Sequence, residues 1–293
     1  HGFVSLFNPD DQPLRWNLRQ LPEFVHPNVV DRTSGTIRYF LAADGATDTN
    51  TVAELNAVRA AFDQWEAVPG TLLRFQEAGL MVGPGIDVNT FDNTNVVFWV
   101  KGTTLVDNGR ANIGGALGVT FTSFFDDFEH TMAEADIVFN GTRKWYTDFE
   151  QGPQAGNFVE GTAMHESGHF LGLDHTPAGA TTMFTRGDAG VNTQVGLSID
   201  DIRAAQWLYG IDTSSFGSLS GVVTRDGIGL PAAVVCVEDS QGNLVSASLS
   251  RAGGGSSSAT PSIQRRSATP SGTVSSGGTS CRKIDGGLYC VRP

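Results

Sequence analysis

Apolar residues along the first two thirds of the chain recur at spacings that alternate between strand and helix. Residues 36–42 (Thr-Ile-Arg-Tyr-Phe-Leu-Ala) are rich in β-branched and aromatic types and predict a strand. Val52, Leu55, Val58, Phe62 and Trp65 then return every three or four positions, the period of one helix face. Thr51 and Glu54 stand in capping-box spacing at the start of this helix, predicted over Thr51–Val68, and Pro69-Gly70 ends it. Strand-like runs follow at Leu72–Gln76, Val96–Val100, Ala116–Phe121 and Ala135–Phe139, separated by Gly/Asp/Asn-rich loops at 82–95 and 101–114. A second helix is predicted from about Phe158 to Leu171. A third starts at Ser198 as cap with Asp201 as box partner, carries Ile202, Ala205 and Leu208 on one face, and stops at Gly210. Strands interleaved with helices predict an α+β fold, a mixed sheet packed against three main helices.

The second predicted helix carries the chemistry. Residues 165–175 read His-Glu-Ser-Gly-His-Phe-Leu-Gly-Leu-Asp-His. His165 and His169 are four apart, so on a helix they stand one turn above each other on the same face and can reach one ion. Glu166 follows the first of them and is placed to accept a proton from water on the metal. Gly172 suits a left-handed turn that ends the helix and returns His175 as third ligand. Three protein ligands leave a fourth position for water, the arrangement of a catalytic rather than a structural zinc site. Thr181-Thr182-Met183-Phe184 follows a few residues downstream.

This eleven-residue pattern followed by a methionine resembles the metzincin clan of zinc peptidases, with Met183 as the methionine of the turn under the metal. Within the clan the chain resembles the matrixins. Thr176 follows the third His, the wording Leu-Gly-Leu-Asp-His is close to theirs, and Asp200-Asp201-Ile202 through Leu208-Tyr209-Gly210 is similar to their closing helix. The resemblance runs over about residues 35–212. It implies a zinc cleft between an upper sheet-and-helix lobe and a small lower lobe, with Met183 as a hydrophobic base that does no chemistry. It also implies that the edge strand around Gly115, Ala116, Leu117, Gly118 and Val119 pairs with an extended substrate. The implied activity is a zinc-dependent endopeptidase acting on proteins or long peptides.

Three departures narrow the picture. Matrixins hold a second, structural zinc with histidines, but the comparable stretches Leu117–Thr120 and Asp136–Phe139 have none, and His130 alone cannot supply four ligands. One catalytic zinc is therefore expected, and no second one. Thr185 stands where a Pro is usual. No Cys precedes the site, so a cysteine switch is not expected. Carboxylates that could hold calcium lie in or beside the loops at Asp87, Asp92, Asp107, Asp126, Asp127, Glu129 and Asp136, and the residues do not select among them.

Charge divides the chain. Residues 1–216 hold 27 acidic against 12 basic side chains, and residues 217–293 hold 4 against 7. So acidic a catalytic part excludes nucleic acid and anionic membrane surfaces as partners. Apolar runs such as Val96–Val100 fall far short of the roughly 20 residues that span a bilayer. The chain begins at His1 without Met, from which a removed leader is expected. The resemblance to zinc peptidases implies secretion, and a monomer is expected.

The ends read differently from the middle. Residues 1–34, with Pro9, Pro13, Pro22 and Pro27, predict an extended arm. Residues 217–248 resemble the first strands of a carboxypeptidase-regulatory-like β-sandwich, a short β-type segment. Residues 249–293 form a low-complexity tail: between 251 and 280, 21 of 30 residues are Ser, Thr, Gly or Pro, a composition that buries no core. All three cysteines lie after residue 235, with Cys281 and Cys290 close enough in sequence to bridge and Cys236 left odd. An alternative function is a catalytically silent zinc-binding protein, or an adhesion protein that uses this C-terminal segment.

Overall fold

The computed structural model describes residues 4–6, 13–125, 131–152, 155–179, 181–185, 195–212, 216–230, 233–238, 244–250, 255–261, 280–284 and 287–291. It divides into two compact units. One comprises residues 6–172 with residues 195 and 196, and the other gathers residues 4 and 5, the described residues of 173–185 and those from 197 onward. Elements are numbered along the chain from the short strand β1 (Val4–Ser5).

In the first unit, β2 (Ile37–Ala42), α1 (Thr51–Glu66), β3 (Phe75–Met81) and β4 (Val96–Val100) lead to the hairpin β5 (Leu105–Val106) and β6 (Ala111–Asn112). Then come β7 (Gly118–Phe124), β8 (Met132–Asn140), β9 (Trp145–Tyr146), β10 (Asn157–Phe158) and α2 (Val159–Phe170). Five strands form one sheet in the order β3-β2-β4-β8-β7. The first four run parallel, and β7 closes the edge antiparallel to β8. This is the mixed sheet of the α+β expectation, and α1, α2 and α3 (Ile199–Tyr209) are the α-helices among the described residues.

β8 is buried along its whole length, Glu134 and Asp136 included. Those carboxylates hold the loop between β3 and β4. Glu134 accepts from the amides of Phe91, Asn93 and Thr94, and Asp136 from those of Asn89 and Val96. Loop amides that no strand pairs find acceptors here in two buried carboxylates. The helices pack through aromatic rings. Phe62 of α1 meets Phe170 of α2 edge-on at 5.5 Å, and the Trp65 indole donates to the carbonyl of Met164 at 3.0 Å.

Several boundaries differ from the sequence reading. β3 begins at Phe75 rather than Leu72 and runs on through Gln76, Glu77 and Gly79: it is an edge strand, with Gln76 exposed and Glu77 held by the Arg59 guanidinium. β7 and β8 extend beyond the predicted runs, and the predicted 101–114 loop contains the β5–β6 hairpin. Helix α1 is not capped by a Thr51–Glu54 box: its N-cap is Asn50, and Glu54 turns back to accept from the amide and hydroxyl of Thr47. Val52 lies off the buried face, 74% exposed. Residues 13–30 contribute buried side chains, among them Leu14, Trp16, Val25, Val29 and Val30.

In the second unit β1 pairs antiparallel with β11 (Leu173–Asp174). Helix α3 starts at the capping box read in the sequence: the Ser198 hydroxyl accepts from the Asp201 amide, and the Asp201 carboxylate accepts in return from the Ser198 amide. Downstream lie β12 (Phe216–Val222), β13 (Thr224–Arg225), β14 (Ile228–Gly229), β15 (Val234–Glu238), β16 (Leu244–Leu249), β17 (Gly255–Pro261), β18 (Ser280–Ile284) and β19 (Gly287–Val291). Four of these form a sheet in the order β16-β15-β19-β18, β12 pairs with β17, and β13 with β14. Cys290 is the backbone register partner of Cys281 on one side and Cys236 on the other. No helix among the described residues is long and apolar enough to cross a membrane.

Candidate active site

Helix α2 is fixed from several directions before any chemistry is considered. Its buried face carries Val159, Ala163, Met164, Ser167 and Phe170. Trp65 clasps the Met164 carbonyl, and the Trp16 indole, 1% exposed, donates to the Phe170 carbonyl at 2.9 Å. Gly172 follows with φ +87°, donating its amide to His169 O at 2.8 Å. A Cβ at this glycine would stand 2.1 Å from Leu14 O, so both the left-handed turn and the close approach require the residue to be Gly.

His165 and His169 project from α2 with rings edge-to-face and their Nε2 atoms 3.1 Å apart. Two nitrogens at about 2.0–2.1 Å from one tetrahedral ion stand about 3.3 Å from each other, so this separation suits a shared metal. His165, His169 and His175 each offer one nitrogen, and these atoms lie within 4.8 Å of one another. Burial lowers the pKa of His175 below its ordinary value, with Asp174 opposing the shift. The same Asp174 accepts from the His175 amide at 2.7 Å. Three imidazoles form a donor set that fits zinc.

Glu166 points away from solvent, 4% exposed, under the edge strand β7. The Thr120 hydroxyl lies 2.8 Å from its Oε2 and 3.0 Å from its main-chain oxygen. A Cβ on Gly118 would meet Glu166 Cγ, Oε1 and Cδ at 2.7, 2.8 and 2.9 Å, so the bare backbone of Gly118 makes room for the carboxylate. Burial pushes the Glu166 pKa up to about 7, against the lowering by the Thr120 hydrogen bond.

Within the second unit, Met183 is 2% exposed and its carbonyl accepts from the Thr176 amide at 2.9 Å, next to His175. Asp201, also buried, accepts from the amides of Thr182 at 2.9 Å and Met183 at 3.3 Å as well as from Ser198. The α3 cap and the methionine turn are thus one network. Burial raises the pKa of Asp201, and the Ser198, Thr182 and Met183 hydrogen bonds pull it back. Thr176 Oγ1 is 3.3 Å from Asp200 Oδ2.

Of the residues assigned to substrate pairing, Gly118 and Val119 begin β7, whereas Gly115, Ala116 and Leu117 precede it. Ala116 and Leu117 carbonyls accept from the side chain and amide of Asn140. Among the loop carboxylates, Asp87 accepts from the amides of Val88, Asp107 and Asn108, and Asp136 from two amides. Asp126, Asp127, Glu129 and His130 lie outside the described residues. Sequence reasoning missed Thr120 and the tie from Asp201 to the methionine turn. A Thr in a strand and an Asp in a helix cap look ordinary until the chain folds.

A family profile described as Matrixin matches residues 32–210, more than half of the chain. A curated relative, Metalloendoproteinase 2-MMP of Arabidopsis thaliana, is 34% identical over 99 residues, 32% of this chain and 26% of the relative. The chain therefore spans about a quarter of the length of that relative. The chain belongs to the matrixin family of zinc metalloendopeptidases.

Proposed function

We propose that the protein is a secreted zinc-dependent endopeptidase that hydrolyses peptide bonds in proteins or long peptides. The observation that carries the reading is the convergence of His165, His169 and His175 beside a buried carboxylate, Glu166. The three imidazoles hold the metal through neutral ring nitrogens. A zinc ion there supplies Lewis-acid chemistry, polarising a carbonyl and acidifying water. Glu166 takes the proton of the water whose oxygen bonds to the scissile carbonyl carbon, and it returns that proton to the amine as the C–N bond breaks. A carboxyl whose pKa stands near 7 can both accept and return a proton at neutral pH. Strand β7, the antiparallel edge of the sheet, pairs through Gly118 and Val119 with an extended substrate backbone. Met183, buried in the second unit, takes part in no bond change. Membership of the matrixin family supports the extracellular location.

The test is hydrolysis of an unfolded generic protein before and after removal of zinc by a chelator, with zinc added back. Cleavage lost on removal and restored by one equivalent supports the reading, as does its absence in His175→Ala. Cleavage indifferent to the chelator overturns the zinc dependence, and none by a zinc-loaded chain moves the assignment to a silent zinc-binding or adhesion protein.

A further inference from the structure

We infer that Thr120 is a positioning residue for the reaction: its hydroxyl fixes the Glu166 carboxylate by occupying Oε2, so that Oε1 is the oxygen that exchanges the proton. The inference rests on the peptidase reading above and adds to it a residue from a different element, the edge strand.

A glutamate one residue after a helical metal ligand has three side-chain torsions and no intrinsic reason to hold one orientation. Two features of β7 remove that freedom. Gly118 lets the side chain lie flat against the strand, with no Cβ to push it off. Two residues on, on the same face of the strand, Thr120 presents Oγ1 at 2.8 Å from Oε2. That distance is the usual length of a hydroxyl–carboxylate hydrogen bond. Burial sharpens the effect, because a carboxylate with so little water around it depends on its protein partner for orientation. The hydroxyl also lies 3.0 Å from the Glu166 carbonyl oxygen. The bond to Oε2 is compatible with a proton carried on Oε1, so the carboxyl keeps its orientation while it holds and returns that proton.

The decisive comparison is full-length Thr120→Val against Thr120→Ser, each alone and combined with Glu166→Gln. Steady-state kinetics on one peptide are measured alongside zinc affinity from competition with a chromogenic chelator, and thermal melting. Val keeps the shape and drops the hydroxyl. It is expected to lower kcat by about 10- to 100-fold, the usual effect of losing a hydrogen-bond partner of a site group. KM and zinc affinity are expected to stay within about twofold of wild type, because the hydroxyl holds a carboxylate rather than a ligand or the substrate. Thr120→Ser is expected to restore most of the rate, and Thr120→Val is expected to add nothing in the Glu166→Gln background. Unchanged kcat in Thr120→Val overturns the inference. So does an equal loss in Thr120→Ser, a matching fall in zinc affinity or melting temperature, or full additivity with Glu166→Gln. If wild-type hydrolysis itself does not depend on Glu166, the peptidase reading falls and this inference with it. Hydrolysis that depends on Glu166 but not on the Thr120 hydroxyl overturns this inference alone.

Discussion

Replacing Gly118 with Ala perturbs the site by a single methyl group. The added carbon would stand 2.7 Å from Glu166 Cγ, 2.9 Å from Cδ and 2.8 Å from Oε1. Carbon atoms in contact normally sit about 3.5–4.0 Å apart, so the side chain must retreat by about 1 Å. The backbone has no objection, since Gly118 is not among the positive-φ glycines. The strain therefore falls on Glu166 rather than on the fold. Displacement of a reacting group by about 1 Å costs on the order of 100-fold in rate, or about 2.7 kcal/mol of barrier. The expected outcome for Gly118→Ala is a kcat/KM lowered by about 100-fold, with one zinc still bound and a melting temperature within about 2 °C of wild type. A peptide-cleavage assay with metal analysis and a thermal melt reads all three. Retention of kcat/KM within about threefold would refute the argument that Glu166 works from the position it holds under β7. A collapse in melting temperature would refute the claim that the backbone tolerates the change.

Other expectations follow from the same geometry. Gly172→Ala puts a Cβ 2.1 Å from a backbone oxygen at φ +87°, so it should cost more than about 3 kcal/mol and leave little soluble zinc-binding protein. Asp201→Ala strips the acceptor from the Thr182 and Met183 amides and breaks the α3 cap; urea unfolding should show a loss of about 3 kcal/mol. Glu134 has its pKa raised by burial to about 7, so it binds a proton more tightly when folded than unfolded. Its contribution is complete below its unfolded pKa near 4.5 and is lost as pH rises through about 7. The melting-temperature advantage of wild type over Glu134→Gln should accordingly be larger at pH 5 than at pH 8, and an advantage that grows with pH would contradict the assignment.

Much of this was legible in the chain because the signals are local. The helical spacing of His165 and His169, the Gly172 turn and the Ser198–Asp201 cap each depend on residues within one turn of one another, and each appears where its pattern placed it. The α+β class followed from interleaved periods. What stayed hidden depends on distance along the sequence. Thr120 reaches Glu166 across 46 positions, and Glu134 reaches the Phe91–Thr94 amides across about 40, which no period encodes. Glu54 fits a capping box by spacing yet is taken by Thr47, since the loop before α1 folds back onto it and offers two donors. The strand ends were short for a related reason: the polar residues of β3 are acceptable at a solvated edge, and those of β8 are held by the loop above them.

The measurement that bears most directly on the central claim is the turnover of Glu166→Gln carrying a full complement of zinc. If His165, His169 and His175 bind the metal and Glu166 moves the proton, this variant holds one zinc per chain with wild-type affinity. It should cleave at a rate lower by about 100- to 10,000-fold, the range that a positioned acid–base group supplies. A zinc-loaded Glu166→Gln that cleaves as fast as wild type would contradict the account, whatever the fold and family of the chain.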